Sequence, residues 1–496
     1  YFCNVIIKPK KETVYLFQKE QNVYEFIDKI FISQLITHVK IFFDSCCFLK
    51  CFIIKFLYTG FKNMVKFLNF IYKKEDCDTE HTKVITKHKS LCAKFVALLI
   101  LLIPNKKLRR ELRNRYVSGF DNTQLKLISD NYKKNIGRIR EKMKTEKIKV
   151  GFLVSENQKW NCQSVYDKMA VCDEFEPVIL ITKVYSGKHD DFGKYYTTVE
   201  ENYNYFKTRG MNVEYAYDID TKEYIGLDKF GIDIIFYQQP WAIAPEQDMP
   251  VTSNFALSCY VPYGIAVISS LTDYDLNFYR MLWQQYSVND LVCEHFKKLS
   301  SRPLDNYKVI GHPKFDEYLK DDNVQNEGYI IYAPHHSFAP SHLNFATFKW
   351  NGKYILEYAK AHPELKFVFK PHPQLKTRMI VRKIMKEHEV DKYFDEWKKI
   401  AVFCNDADYY DLFKKSRMMI TDCSSFLGEY FPTKNPVINL KNKNSVRFNP
   451  FGQAITDTYY KVYDLETLKS TMKMLLEDNE DPMKELRIER LKELDI

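Results

Sequence analysis

From Lys147 onward, short runs of apolar and β-branched residues alternate with longer segments whose apolar positions recur at helical spacing. "KIKVGFLVS" reads as a first strand, "SVYDKMAV" as a helix, "FEPVILIT" as a second strand, "VEENYNYFKTRG" as a helix and "IDIIFYQQP" as another strand. "SCYVPYGIAVI" and "NYKVIGHP" follow, and then a polar stretch, "KDDNVQNEG" (Lys320 to Gly328), interrupts the series. It restarts with the strand "YIIYAPHH", the helix "GKYILEYAKAHP", the strand "KFVFKPHP" and the basic helix "LKTRMIVRKIMKEH". "KIAVFCN", "DYYDLFKKS", "RMMITD", "SSFLGEYF" and "NPVINL" continue the alternation before two terminal helices. Strands alternating with helices in this way predict parallel sheets covered on both faces. The expected fold class is therefore α/β, with two consecutive Rossmann-like domains (147–325 and 326–496) facing a cleft.

The preceding chain has a different pattern. Residues 117–146, rich in Lys, Asn and Asp, read as a helical linker. Residues 1–116 are very apolar and aromatic from Phe26 to Tyr72, yet Lys40, Asp44, Lys50, Lys55, Lys62 and Lys66 break the run every few residues. No window reaches the ~20 uninterrupted apolar residues that a spanning helix needs. The short run "FVALLILLI" is followed at once by Lys106, Lys107, Arg109, Arg110, Arg113 and Arg115. Apolar helix followed by basic flank predicts a helical region lying on an anionic membrane surface, with a solvated hydrophobic subdomain as the plainer reading.

Composition narrows the classes. A chain of 496 residues is too long for one ordinary core, and 45% hydrophobic with 15% aromatic residues is globular. The formal charge of +10 suits acidic partners such as phosphorylated substrates or anionic lipid. No nucleic-acid-binding motif accompanies it, so nucleic acid is not an expected partner. The 12 cysteines show neither CxxC pairs nor zinc spacing, which suits reduced thiols, a cytoplasmic setting and no structural metal. The chain begins at Tyr1 without an initiator methionine and leaves room for a longer product.

Ligands of open α/β sheets bind beyond the carboxyl ends of the strands. Three such ends in the second domain carry unusual groups: His335 and His336 after Pro334, Lys370 and His372 in "FKPHP", and Thr421, Asp422, Ser424 and Ser425 in "TDCSS". The serines fall where a helix should begin, so they and the helix dipole make a phosphate receptor, unless one serine is merely the N-cap. Glu429, about one turn further on, is a candidate acceptor for nucleotide hydroxyls or a surface residue. Lys370 can neutralise a phosphate, and His372 can donate to a phosphoryl oxygen or protonate a leaving group. His335 and His336 are adjacent, so in a continuing strand only one would face the cleft. The first domain lacks GxGxxG, and neither Walker A, GxSxG nor a zinc-helix motif occurs, which argues against nicotinamide, flavin and ATP-hydrolysing enzymes. The Asp-x-Asp in "TDYD" (Thr272 to Asp275) reads as a polar loop.

These second-domain segments resemble the CDP-glycerol glycerophosphotransferase family of teichoic-acid enzymes, which have the GT-B arrangement of two Rossmann-like domains. The resemblance rests on "TDCSSFLGEYFPTKNPVI", on His372 in "FKPHP" and on "GHPKFD" from Gly311 to Asp316, and spans roughly Lys147 to Leu475. It implies nucleotide and phosphate binding by Thr421, Asp422, Ser424, Ser425 and Glu429, and catalysis involving His372, beside the Lys370 that the strand end itself offers to a phosphate. Where that family carries "HGTP", this chain reads "CYVPYGIA", with Tyr263 in place of the histidine. His312, His335 and His336 are then the candidates for the base, unless the chain is a divergent branch with another donor or acceptor. The implied activity is transfer of glycerol phosphate from CDP-glycerol to a lipid-linked or capsular glycan hydroxyl, with release of CMP, at the cytoplasmic face of a bacterial cell membrane. No cofactor is required, and a divalent metal is possible without being indicated. Two alternatives stand beside it: a GT-B glycosyltransferase with a nucleotide-sugar donor, and a catalytically silent membrane-bound scaffold.

Overall fold

The computed structural model describes residues 122–185, 198–269, 276–300, 305–320, 324–339, 343–404 and 409–496. The expected membrane-surface region, 1–116, and the "TDYD" loop lie outside them. No helix among the described residues is long and apolar enough to cross a membrane.

The first domain is built on β1 (Ile148–Val154), β2 (Phe175–Ile181), β3 (Val213–Tyr215), a small hairpin of β4 (Tyr217–Asp218) and β5 (Glu223–Tyr224), β6 (Ile234–Tyr237), β7 (Leu257–Tyr260), β8 (Gln284–Ser287) and β9 (Tyr307–Val309). Seven of these strands form one sheet in the order β3-β2-β1-β6-β7-β8-β9, with parallel pairing throughout. The second domain contains β10 (Tyr329–Ala333), β11 (Phe367–Phe369), β12 (Val402–Phe403), β13 (Ser416–Thr421), β14 (Val437–Leu440) and β15 (Tyr460–Val462). They form a six-stranded parallel sheet ordered β12-β11-β10-β13-β14-β15. Each sheet is doubly wound, as the alternation of patterns predicts. Strands such as β6 and β11 are buried on both faces, which is why they read as continuous apolar runs rather than as alternating ones.

The helix Asn122–Lys142 packs on the first domain, burying Ile128, Tyr132, Asn135 and Ile139 along one face. Its carboxyl end is tied down by Asp233, a buried carboxylate that receives Arg138 at 2.6 Å, Lys142 at 2.7 Å and the backbone N–H of Lys149 at 3.0 Å.

Past β7 a loop of the first domain reaches the second before the chain returns to β8. Ala266 to Ser269 lies against Arg447 to Asn449: Ser269 N–H donates to the Arg447 carbonyl, Asn449 N–H to that of Val267, and the Asn449 side chain to that of Ala266. Two glycines make this close approach possible. A Cβ on Gly428 would meet Ile265 Cγ2 at 2.6 Å, and one on Gly452 would meet the Val267 carbonyl oxygen at 2.1 Å. Ile265 and Val267 thereby join a single apolar cluster with Leu427, Tyr430, Phe451 and Ile455. Gly452→Ala is expected to lower stability by about 2–3 kcal/mol in chemical denaturation, because a backbone carbonyl cannot swing aside as a side chain can. Gly264→Ala, whose added Cβ would meet nothing nearer than 3.5 Å, should be close to neutral and serves as the control.

Candidate active site

In each sheet the winding reverses once, between β1 and β6 and between β10 and β13, which opens a crevice beyond the carboxyl ends of those strands. At the second reversal, β13 ends in Thr421 and Asp422. The Thr421 hydroxyl donates to the Ala333 carbonyl at 2.7 Å and accepts from Cys423 N–H at 2.9 Å. The buried Asp422 carboxylate accepts from His335 N–H at 2.6 Å, Thr347 N–H at 2.6 Å and the Thr347 hydroxyl at 2.7 Å. Burial raises its pKa to about 6, although those three hydrogen bonds all favour the charged form. Thr421 and Asp422 therefore tie the two strand ends together, and neither offers a free group to a phosphate.

What they position is a group of three imidazoles. β10 ends at Ala333, so the strand alternation that would separate His335 from His336 no longer applies. Both join His372 from the end of β11, with ring centroids 4.4 Å apart for His335 and His336, 3.8 Å for His336 and His372, and 5.1 Å for His335 and His372. Nitrogens of all three lie within 4.8 Å of one another, close enough to consider a metal. The hydrogen bonds argue against one. His372 Nδ1 accepts the Gln374 N–H at 3.1 Å, and His335 Nδ1 accepts the Ser337 N–H at 3.4 Å with the Ser337 hydroxyl 2.8 Å away. A neutral imidazole that accepts at Nδ1 carries its proton on Nε2. Metal-binding histidines show the reverse, donating through the nitrogen that does not bind. His372 is thus presented as an N–H donor, the chemistry of an anion site. His372 is held well below the ordinary histidine range, first by burial and then by His336, His335, Lys159 and Lys370. Without an anion it stays neutral.

The other expected residues are distributed unevenly around this cluster. Ser424 and Ser425 open the helix Ser424–Glu429, with Cys423 at the N-cap and no side chain capping it, so neither serine serves as the ordinary cap. Lys370 is buried, its ammonium 4.6 Å from the Tyr409 ring centre and 3.8 Å from Cys404 Sγ. Glu429 is only 1% exposed. Its carboxylate accepts from Lys314 at 3.1 Å and from the hydroxyls of Tyr409 and Tyr410, so it joins the domains rather than facing a nucleotide. Burial and the Glu429 charge hold the Tyr409 hydroxyl well above its ordinary range, where it remains a donor. His312 is equally committed: its Nδ1 accepts the Lys314 N–H at 3.2 Å and its Nε2 donates to the Pro262 carbonyl at 2.7 Å. Burial pushes its pKa down to about 3, and with both nitrogens occupied it has no lone pair for an incoming proton.

The first domain supplies groups that no motif marked. Glu156 and Lys159 follow β1, form an ion pair, and are locked at the first reversal by Gln238, whose side chain bonds the backbone N–H of Ser155 and Glu156 and the Glu156 carbonyl. Lys159 also donates to Gln239 at 2.7 Å, and its charge reaches His372 across the cleft. The only sequence signal for them was their place just after a strand.

No protein-family model matches the chain, and no curated protein matches it. Among solved structures it is similar to Staphylococcus aureus MnaA in complex with UDP, at 12% identity and TM-score 0.45 over 68% of this chain and 90% of that one. It is also similar to UDP-GlcNAc 2-epimerase from Neisseria meningitidis bound to UDP-GlcNAc, at 13% identity and TM-score 0.44 over 70% and 100% of the two chains. A third is the Methanocaldococcus jannaschii UDP-GlcNAc 2-epimerase in complex with UDP-GlcNAc and UDP, at 12% identity and TM-score 0.41 over 70% and 100%. At these identities and TM-scores the likeness assigns this chain neither a family nor an activity. These findings correct the expectation of a CDP-glycerol glycerophosphotransferase, together with the teichoic-acid and capsule roles attached to it: no such family model matches, and two of the three similar structures are UDP-GlcNAc 2-epimerases. The physical reason lies in the motif, because Thr421 and Asp422 are a local solution to closing a strand end and carry no donor specificity.

Asp422→Ala leaves three buried donors unanswered and is expected to cost about 3 kcal/mol of stability, read by chemical denaturation. His312 gives a pH prediction. Its pKa falls from an ordinary 6.5 to about 3 on folding, so its contribution is fully present above 6.5 and is lost as pH falls toward 3. In His312→Gln the difference in stability from the parent chain should shrink as pH is lowered through that window; a constant difference would show that the histidine is not neutral in the fold.

Proposed function

We propose that this chain is an enzyme of nucleotide-sugar processing. In this reading a nucleoside-diphosphate sugar binds in the cleft with its diphosphate against the second domain. The observation that carries it is the group of three imidazoles at the reversal point between β10 and β13, with His372 fixed as an Nε2–H donor beside His335 and His336.

The chemistry follows from charge. When the bond between the anomeric carbon and the diphosphate oxygen breaks, its electron pair stays on that oxygen, and negative charge grows where the His372 N–H is already oriented. Donors in place before the reaction stabilise such charge without reorganising. An arriving phosphate also offsets the Lys159 and Lys370 charges that hold His372 neutral, so His372 gains a proton more easily in the complex than in the empty site. In this reading the first domain presents the second reactant, and Glu156, beside Lys159, has the chemistry of a base. In glycosyl transfer, an acceptor hydroxyl would form the new bond to the anomeric carbon and give up its proton on that side.

The test is release of nucleoside diphosphate from a panel of nucleotide sugars, beginning with UDP-GlcNAc and UDP-glucose and including their CDP and GDP counterparts. His372→Ala and His335→Ala should each lower kcat about 10²–10³-fold, and the double variant by less than the product of the two. Neither binding nor turnover of any nucleotide sugar by the parent chain would remove this reading.

A further inference from the structure

We infer that Trp241 and Tyr263 form a stacking platform for a carbohydrate ring, so that the second reactant reaches the cleft as a glycan. The role assigned to the platform rests on the nucleotide-sugar reading, whereas its geometry stands by itself. Trp241 leaves 42% of its surface exposed, a large apolar area for a residue type that is highly buried on average. It stands in the loop that follows β6. Its ring stands 5.8 Å from that of Tyr263, at 90°. Gly264, the next residue along, has its Cβ direction 3.5 Å from Ser425 Cβ and 3.7 Å from Glu429 Oε1, which places the platform where the first domain meets the serine-bearing helix.

The loop holding Trp241 is fixed. Ala242 has φ of 55°, the left-handed region that a residue with a Cβ avoids. Such strain persists only where the surroundings over-determine it. Here the Ala242 carbonyl accepts from Tyr185 N–H at 3.0 Å, and the Trp241 carbonyl accepts from the Gln239 side chain at 2.9 Å. Gln239 in turn receives Lys159, which is paired with Glu156, so a chain of polar contacts runs from the end of β1 to the exposed indole.

This set of groups matches the two faces of a pyranose. The C–H face of a sugar ring can lie on the indole, while its equatorial hydroxyls meet a carboxylate, an amide and an ammonium at the edge. Lys159 supplies that ammonium 5.9 Å from the Trp241 ring centre and 5.6 Å from that of Tyr263, and it is the same group whose charge reaches His372. A ring seated here therefore faces the imidazole cluster.

The experiment uses the whole chain, with methyl β-glucoside, methyl N-acetyl-β-glucosaminide and chitobiose as probes, read by saturation-transfer NMR and titration. At least one probe should bind with the strongest transfer to its axial C–H protons. Trp241→Ala should weaken that binding about tenfold while Trp241→Phe keeps most of it, and the affinity for UDP-GlcNAc should stay within about twofold in both. Failure of the parent chain to bind any probe, or unchanged binding by Trp241→Ala, overturns the inference. So does loss of UDP-GlcNAc affinity in that variant, which would seat the nucleobase on the indole. Glycoside binding that depends on Trp241, in a chain that binds no nucleotide sugar, would uphold the platform and reject the proposed reaction.

Discussion

The buried carboxylate of Asp422 organises the second domain's half of the site. It gathers two backbone N–H groups and one hydroxyl from His335 and Thr347, segments that are distant from it in the chain. Those contacts close the reversal point of the sheet and end β10 at Ala333, which frees the next two residues to turn toward His372. A fully satisfied polar network of this kind stiffens its surroundings more than separate contacts would. The cluster of imidazoles inherits that stiffness, and the backbone N–H of Gln374 then settles which nitrogen of His372 carries the proton.

The second constraint is the seam between the domains. Ile265 to Ile268 leaves the first domain and is packed against two glycines of the second, and Lys314 reaches Glu429 in a buried pair capped by tyrosine hydroxyls. Buried ion pairs add little net stability, but they are sensitive to geometry, and removal of either partner leaves a charge stranded. Their position matters because Glu156, Lys159, Trp241 and Tyr263 act on one side of the cleft and the imidazoles on the other. Any facing geometry between these groups depends on the seam being closed.

Several residues singled out for chemistry became structure, and the reason is the same in each case. Glu429 and His312 carry reactive groups at motif positions, yet each has its polar atoms taken by a partner far away in sequence: Lys314, Tyr409 and Pro262. A sequence pattern reports which groups are present and roughly where they stand on an element. It does not report which of them already have partners. Conversely, Glu156 and Lys159 sit in an unremarked turn and gain meaning only because Gln238 and Gln239 of another strand hold them at the crevice.

The alternation of apolar strands with amphipathic helices was sufficient to determine two parallel α/β domains, because local periodicity follows directly from how each element is buried. The strand-end positions of His335, His372, Ser424 and Ser425 followed from the same pattern, and with them the location of a crevice. Only the tertiary structure decided the rest: that both adjacent histidines join the third, and that Asp422 and Glu429 are spent on internal bonds. Hydrogen bonds between segments 70 to 120 residues apart carry those decisions, and no local pattern encodes a partner at that separation.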